Sequence, residues 1–570
     1  MRYGRAIILV LMVALAGAAA MLWWGRSAGP RPPGEADGGG QLRTTMRTEP
    51  RSFNRLVAND GATGAVGWLI DSPLVSIDPR TFDLVPVLAE TVTASDDGRT
   101  WTIVLREGVR FSDGAPFTAA DVLFTLDAIY DRRSGSVLAE ALQVNGQPLT
   151  ASAPDPHTVV LTAAAPLGAG LRMLADVPIL PKHKLEAALA GGRFREARSL
   201  STPTNELVGL GPFVLHAYRP GERLTFRRNP RYWRRDREGS TLPYVDEVTI
   251  DIVPDQNAEV LRLFGGQSDA MYVPLRPEDL PEARRLEKDG RLTLYGVGEG
   301  VSTDFLWLNL VPGANRTKPW LQRLELRQAI SLAIDRRAFA DTVYLGEGVP
   351  VSAPVTPGNR RWHAADLPVP KLDVARAREL LASIGVRDRN GDGMAEAAAG
   401  QPARITLLTH KGNTVRARAA SVIQHDLRSI GLRVDVVSLD LPALIDRWTR
   451  RDYEAIYFGT QVNDTDPAAL MDLWLSSGAF HVWHPNQPRP ATAWEAEIDR
   501  LMLRQTTTMD EAVRRRLFNR VQHIFADHLP VIHVAVPRLT VASSARVRGF
   551  RPGPLHPYLL WQASTIQLQR

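Results

Sequence analysis

Between Asp97 and Val122 the chain reads Asp97-Gly98-Arg99-Thr100-Trp101-Thr102-Ile103-Val104-Leu105-Arg106-Glu107-Gly108-Val109-Arg110-Phe111-Ser112-Asp113-Gly114-Ala115-Pro116-Phe117-Thr118-Ala119-Ala120-Asp121-Val122. Trp101 to Leu105 alternates its faces, which is the period of a half-buried strand, and ends at a turn with Gly108. Asp113-Gly114 marks an exposed turn. Thr118 then stands before an apolar run, with Asp121 three residues on. A hydroxyl cap followed by an acid in the first turn satisfies orphan N–H groups and complements the helix dipole. The block therefore predicts a hairpin strand, a turn and a capped helix in succession.

The same reading extends outward. Val248 to Val253 alternates like a second strand. Beyond the midpoint the pattern becomes regularly α/β. Leu324, Ala329, Ile330, Ala333, Ile334 and Ala338 share the spacing of one helical face, predicting a helix over 320–341. A helix over 373–384 is closed by Gly385, and one over about 414–430 ends at Gly431. Ile405–Leu408 and Leu432–Val437 bracket that last helix as strands, a β–α–β order that calls for a sheet covered by helices. A long amphipathic helix near 509–527 precedes an apolar strand at Val531–Val536. No fixed-period repeat is visible, which argues against solenoids and propellers.

Four segments together resemble one family, the peptide- and nickel-binding extracytoplasmic solute receptors of family 5, which serve ATP-driven (ABC) importers. The first is Leu88-Ala89-Glu90 with the block quoted above. The second is Gly209-Leu210-Gly211-Pro212-Phe213 with Asn229-Pro230-Arg231-Tyr232-Trp233. The third is Pro243-Tyr244-Val245-Asp246-Glu247-Val248, and the fourth is Leu326-Arg327-Gln328-Ala329-Ile330-Ser331-Leu332-Ala333-Ile334-Asp335-Arg336. Their order and spacing are similar to the family from about residue 41 to the C-terminus.

The resemblance implies an α/β, two-lobed periplasmic-binding-protein-like clamp with an extra inserted domain. Lobe I is expected over 41–82, 205–297 and 537–570, with the inserted domain over 83–204 and lobe II over 298–536. Ligand would lie between the lobes, at hinge strands near 297–310 and 530–540. The implied role is capture of a peptide or peptide-like solute and its delivery to ABC permease subunits, with no catalysis and no cofactor, by a monomer. Metal chelates, sugars and opines are alternative solutes, and a membrane-tethered sensory or interaction protein is an alternative use of the fold.

In peptide-binding relatives the block at Tyr457–Pro467 resembles Gly-Trp-x-x-Asp-x-x-Asp/Glu-Pro, whose first Asp receives the peptide's α-ammonium. Aligned on Gly459 and Pro467, that position is Asn463, with Asp464 beside it, and Thr460 replaces the aromatic residue. The resemblance implies ligand-binding roles for Gly459, Thr460, Gln461, Asn463 and Asp464. Asn463 is neutral, and a buried ammonium needs a charged partner. Either this cleft does not take an ordinary free N-terminus, or Asp464 turns inward and substitutes.

Composition narrows the alternatives. Hydrophobic residues make up 44% and charged residues 23%, as expected of a packed globular chain. At roughly 100–200 residues per domain, 570 residues predict about three domains. The net charge is only +6, and 62 arginines to six lysines lie scattered among the acids, unlike the concentrated basic face of a nucleic-acid binder. Arg2 and Arg5 precede an apolar run from Ala6 to Trp24, with Ala18-Ala19-Ala20 as a small-residue cleavage site. Residues 1–26 thus read as a signal peptide or an uncleaved N-terminal membrane anchor, and 27–40 as a flexible Gly/Pro linker, placing the mature part in the periplasm or otherwise outside the cytoplasm. With no cysteine there is no disulfide, no thiolate metal site and no lipid-anchoring Cys.

Three motifs invite sharper readings. Gly266-Gln267-Ser268-Asp269-Ala270 approaches a hydrolase nucleophile elbow but lacks its last glycine, and is read as a turn leading into a strand at Met271–Val273. Asp388-Arg389-Asn390-Gly391-Asp392-Gly393 begins like a calcium loop, but Ala399 stands where the bidentate acid is needed. His481 and His484 are a possible cleft-facing pair, whereas His533, in an apolar strand, reads as a satisfied core histidine. None of these is taken as a metal site.

Overall fold

The computed structural model describes residues 39–570 apart from 59, 398–399, 460–461, 463, 557 and 570. The export segment expected over 1–26 and all but the last two residues of the linker lie outside the described residues. Among the described residues no helix is long and apolar enough to cross a membrane.

The chain folds as a two-lobed α/β clamp carrying an inserted domain. One sheet takes the order Gln41–Met46, Glu247–Ile252, Arg223–Arg228 and Phe213–Arg219, and the helix Gly61–Ile70 packs on it. A second four-stranded sheet, antiparallel throughout, contains Thr100–Leu105 between Ala89–Ala94 and Thr158–Thr162. Ile103 and Leu105 point into its core, together with Phe111 and Phe117 from the turn and Val122, Leu126 and Ile129 from the helix Ala119–Tyr130. The Asp121 carboxylate accepts the Thr118 N–H at 2.9 Å, as the cap predicts.

The second half is organised by a five-stranded sheet in the order Arg433–Leu439, Arg404–His410, Ala455–Gly459, Asp304–Leu308, Val531–His533. The first three strands run parallel, and the helix Thr414–Arg428 supplies the predicted crossover. Alternation divides the side chains between two cores. Leu306, Leu308, Ala455 and Tyr457 face one, while Phe305, Trp307 and Ile456 face the other.

The helix expected over 320–341 is divided. Pro319–Gln322 is a 3-10 turn, Leu324–Ala333 is the first helix and Arg336–Val343 the second. Ile334 leaves helical geometry because Asp335 caps the second helix, accepting from Arg337 N and Ala338 N at 3.0 Å each. The strand expected over 531–536 divides likewise, into Val531–His533 and Ala535–Ser544. The latter pairs with Leu292–Glu299 and Gly348–Pro350. It places Ala535 in the core of the five-stranded sheet, and Val541 and Ala542 in cores of the other lobe. One continuous strand thus joins the two lobes.

Candidate functional site

Three parallel strands present their carboxyl ends on one side of the five-stranded sheet, where the crevice of an open α/β sheet forms. The segment following Ala455–Gly459 leaves the sheet at this point. Gly459 pairs with Asp304, and a Cβ on Gly459 would collide with the Asp304 carboxylate and the Thr303 carbonyl. Asp304 itself is held by Arg416, through Nε at 2.9 Å and Nη2 at 2.8 Å. The Arg416 guanidinium lies 3.9 Å over the Phe458 ring.

The loop beyond Gly459 is pinned at several points. Val462 N donates to Ser302 Oγ at 2.9 Å, and Asn359 Nδ2 donates to Thr465 O at 2.9 Å. Asp466 caps the turn at Pro467–Leu470 and takes two hydrogen bonds from buried Arg514, at 3.0 and 2.6 Å. Arg514 also donates to Gly168 O in the inserted domain at 3.1 Å.

Asp464 is the described member of the expected pair of polar residues. Its carboxylate is gripped by Arg172, through Nε at 2.9 and 3.1 Å and Nη2 at 2.5 Å. Arg172 lies on the turn Gly170–Leu174, 292 residues away in sequence. Asp464, expected as a stand-in for a ligand-binding carboxylate, is thus paired with Arg172 in this arrangement. Asp176 lies nearby and accepts from Ser76 Oγ at 2.8 Å. Burial pushes its carboxyl up to about 6; Arg55 and Ser76 oppose the rise and the Asp464 charge adds to it. Thr460, Gln461 and Asn463 lie outside the described residues.

Beside this strand end is a small apolar pocket of about 50 Å³. Phe458, Gly459, Phe305 and Trp307 form its floor, and Leu444, Ile445, Trp448, Phe480 and Val482 close around it. Ile445 and Phe480 remain exposed at its rim. Its aromatic and aliphatic walls suit an apolar group.

The histidine expectations are revised. His481 is buried and pairs with Glu495 at 3.2 Å, so it does not face the cleft. His533 is buried as expected but not satisfied, since neither ring nitrogen has a partner. Burial, with the nearby Arg336 charge, pushes it down to about 3, so it is neutral. Among the described residues no three histidines or carboxylates converge as metal ligands. Ser268 donates to the carbonyls of Arg43 and Ala270, a turn hydroxyl rather than a nucleophile, and residues 271–273 do not form a strand. Asp388 accepts from Gly391 N and Gly393 N, which accounts for its loop as a turn.

Sequence reasoning missed Arg172, Asp176 and Arg514. Nothing local singles out three residues among so many arginines and aspartates. The positive φ of Asp176, 66°, is visible only in the fold.

Comparison with known proteins places this geometry. The description of the bacterial extracellular solute-binding proteins, family 5 (middle), matches residues 83–481. A probable ABC transporter-binding protein of Deinococcus radiodurans is 26% identical over 91% of this chain and 90% of its own length. The oligopeptide-binding protein AppA of Bacillus subtilis is 26% identical over 93% and 92%. Among solved structures, the ABC transporter substrate-binding protein CtaP of Listeria monocytogenes superposes with a TM-score of 0.76 at 23% identity, covering 94% of this chain and all of that one.

Proposed function

Because the chain belongs to the family 5 bacterial extracellular solute-binding proteins, we propose that it captures a peptide or peptide-like solute between its lobes and delivers it to an ABC importer without catalysis. The proposed division is lobe I over 41–82, 205–297 and 537–570, the inserted domain over 83–204 and lobe II over 298–536. The observation that carries the substrate reading is the apolar pocket beside Phe458 and Gly459. A peptide supplies an apolar side chain for such a pocket. The oligopeptide-binding relative from Bacillus subtilis supports the same class. Neutral Asn463 beside paired Asp464 favours a solute without a free ammonium at that end.

Thermal-shift titration with three panels tests this reading: peptides of three to nine residues, free or N-acetylated, then nickel–histidine chelates, then sugars and opines. Peptides should raise the melting temperature, since a ligand that binds only the folded state stabilises it by linkage. A shift with chelates or sugars, and none with any peptide, would replace the peptide assignment.

A further inference from the structure

The lobes meet around the cleft through contacts that no solute supplies. Arg172 and Asp464 form one of these, with side chains only 10% and 13% exposed. Each partner is already positioned by its own side. Arg172 Nη2 donates to the Phe82 carbonyl at 2.9 Å, and Asp464 Oδ1 accepts the Asp466 N–H at 3.0 Å. The planar guanidinium meets the carboxylate as a fork, so little side-chain freedom is lost when the two sides meet.

Three neighbouring contacts share this rim, the first being the Arg514 bond to the Gly168 carbonyl at 3.1 Å. Gly168 N donates to Thr506 O at 2.7 Å, at a position where a Cβ would run into the Thr508 carbonyl. Arg361 reaches Asp83 at 3.0 Å. At a separate contact between the lobes, Glu278 accepts from Thr414 at 2.8 Å and Arg418 at 3.1 Å.

We propose that the Arg172–Asp464 pair is a latch that holds the two lobes closed in the absence of solute. Opening separates a two-pronged charged pair that is largely withdrawn from water, and returns each partner singly to a partly enclosed site. The latch thus sets the fraction of molecules already closed, and with it the share of binding energy that any solute must spend on closure. This inference rests on the contact geometry and holds whichever solute the cleft takes.

The chain has no cysteine, so an introduced pair is uniquely labelled. Glu186→Cys and Glu379→Cys put spin labels on exposed helix positions of the inserted domain and of the second lobe. Double electron–electron resonance is then recorded on protein freed of solute by unfolding and refolding. A short separation should dominate. Asp464→Asn and, independently, Arg172→Gln should each lower the closed-to-open ratio at least tenfold while leaving the far-ultraviolet circular dichroism unchanged. Arg172→Lys, which keeps the charge but not the fork, should fall between. A parent distribution dominated by the long separation would overturn the latch, as would variant distributions that superimpose on the parent. Neither result would bear on which solute binds.

Discussion

Glu495 and Asp464 are both enclosed carboxylates ringed by donors, yet they belong to different kinds of construction. Glu495 receives His481, Trp483, Gln487 and Thr492, all within 14 residues of it in sequence. Burial alone would raise its carboxyl, but these four donors outweigh burial and hold it down to about 2. Asp464 takes its main partner from 292 residues away, across the meeting of the lobes. The first network forms whenever its lobe folds, so it serves stability. The second exists only in one arrangement of the lobes, so it serves conformation. Removing each should therefore affect different observables.

The largest effect is expected at Glu495. Glu495→Ala strands four donors, and losing one side of such a buried charged network costs about 3–5 kcal/mol. Chemical denaturation measures the loss, and the distance between the lobes should not change. The pH dependence follows from the depressed carboxyl. Stability from Glu495 is fully present above the unfolded value of 4.5 and is lost as pH falls through about 2. The gap in melting temperature between the parent and Glu495→Gln should close over that window.

The next effect concerns the neighbour of Asp464. Asn463→Asp adds a carboxylate at the position that the family resemblance assigns to the ligand's amine. For a peptide with a free α-ammonium, the added charge-assisted hydrogen bond is worth about 1.5–3 kcal/mol, or roughly tenfold or more in affinity. An N-acetylated peptide should bind less well, because it offers the new charge no partner. Calorimetry with both forms reads the sign, and equal responses would remove this position from the ligand's terminus.

Asp176 gives a smaller effect of opposite sense to Glu495. Its folded carboxyl is raised to about 6, so it binds its proton more tightly folded than unfolded. That favours the fold below the unfolded value of 3.8, and the advantage is lost as pH rises through about 6. Asp176→Asn, which suits the positive φ, should stabilise by about 1 kcal/mol at pH 7.5, a gain that fades as pH falls from 6 towards 3.8. Thermal melts across that range check it. The smallest effect belongs to Arg361–Asp83, where Asp83 is 58% exposed. Asp83→Asn should cost about 0.2–1 kcal/mol at most and leave the lobes where they were.

The same contrast explains what was legible in the sequence. The strand, turn and capped helix from Thr100 to Tyr130 rest on local periodicity and on Thr118 and Asp121, and were readable in full. So was the β–α–β unit from Arg404 to Leu439, where Gly431, with φ 83°, ends the crossover. The division at Asp335 was missed because apolar spacing continues through Ile334, although the capping aspartate stood in plain view. His481 was misplaced because its partner, Glu495, sits on the next helix, where no spacing rule connects the two. Arg172 and Asp176 were illegible for a stronger reason: their meaning arises only when distant segments meet.

A cleft that takes a peptide or peptide-like solute should retain one through purification. Native mass spectrometry of the protein purified from its own host tests this most directly, by releasing the bound molecule in the gas phase and fragmenting it. The expected released species gives the backbone fragment series of a peptide. A metal chelate, a sugar or an opine released in its place would contradict it.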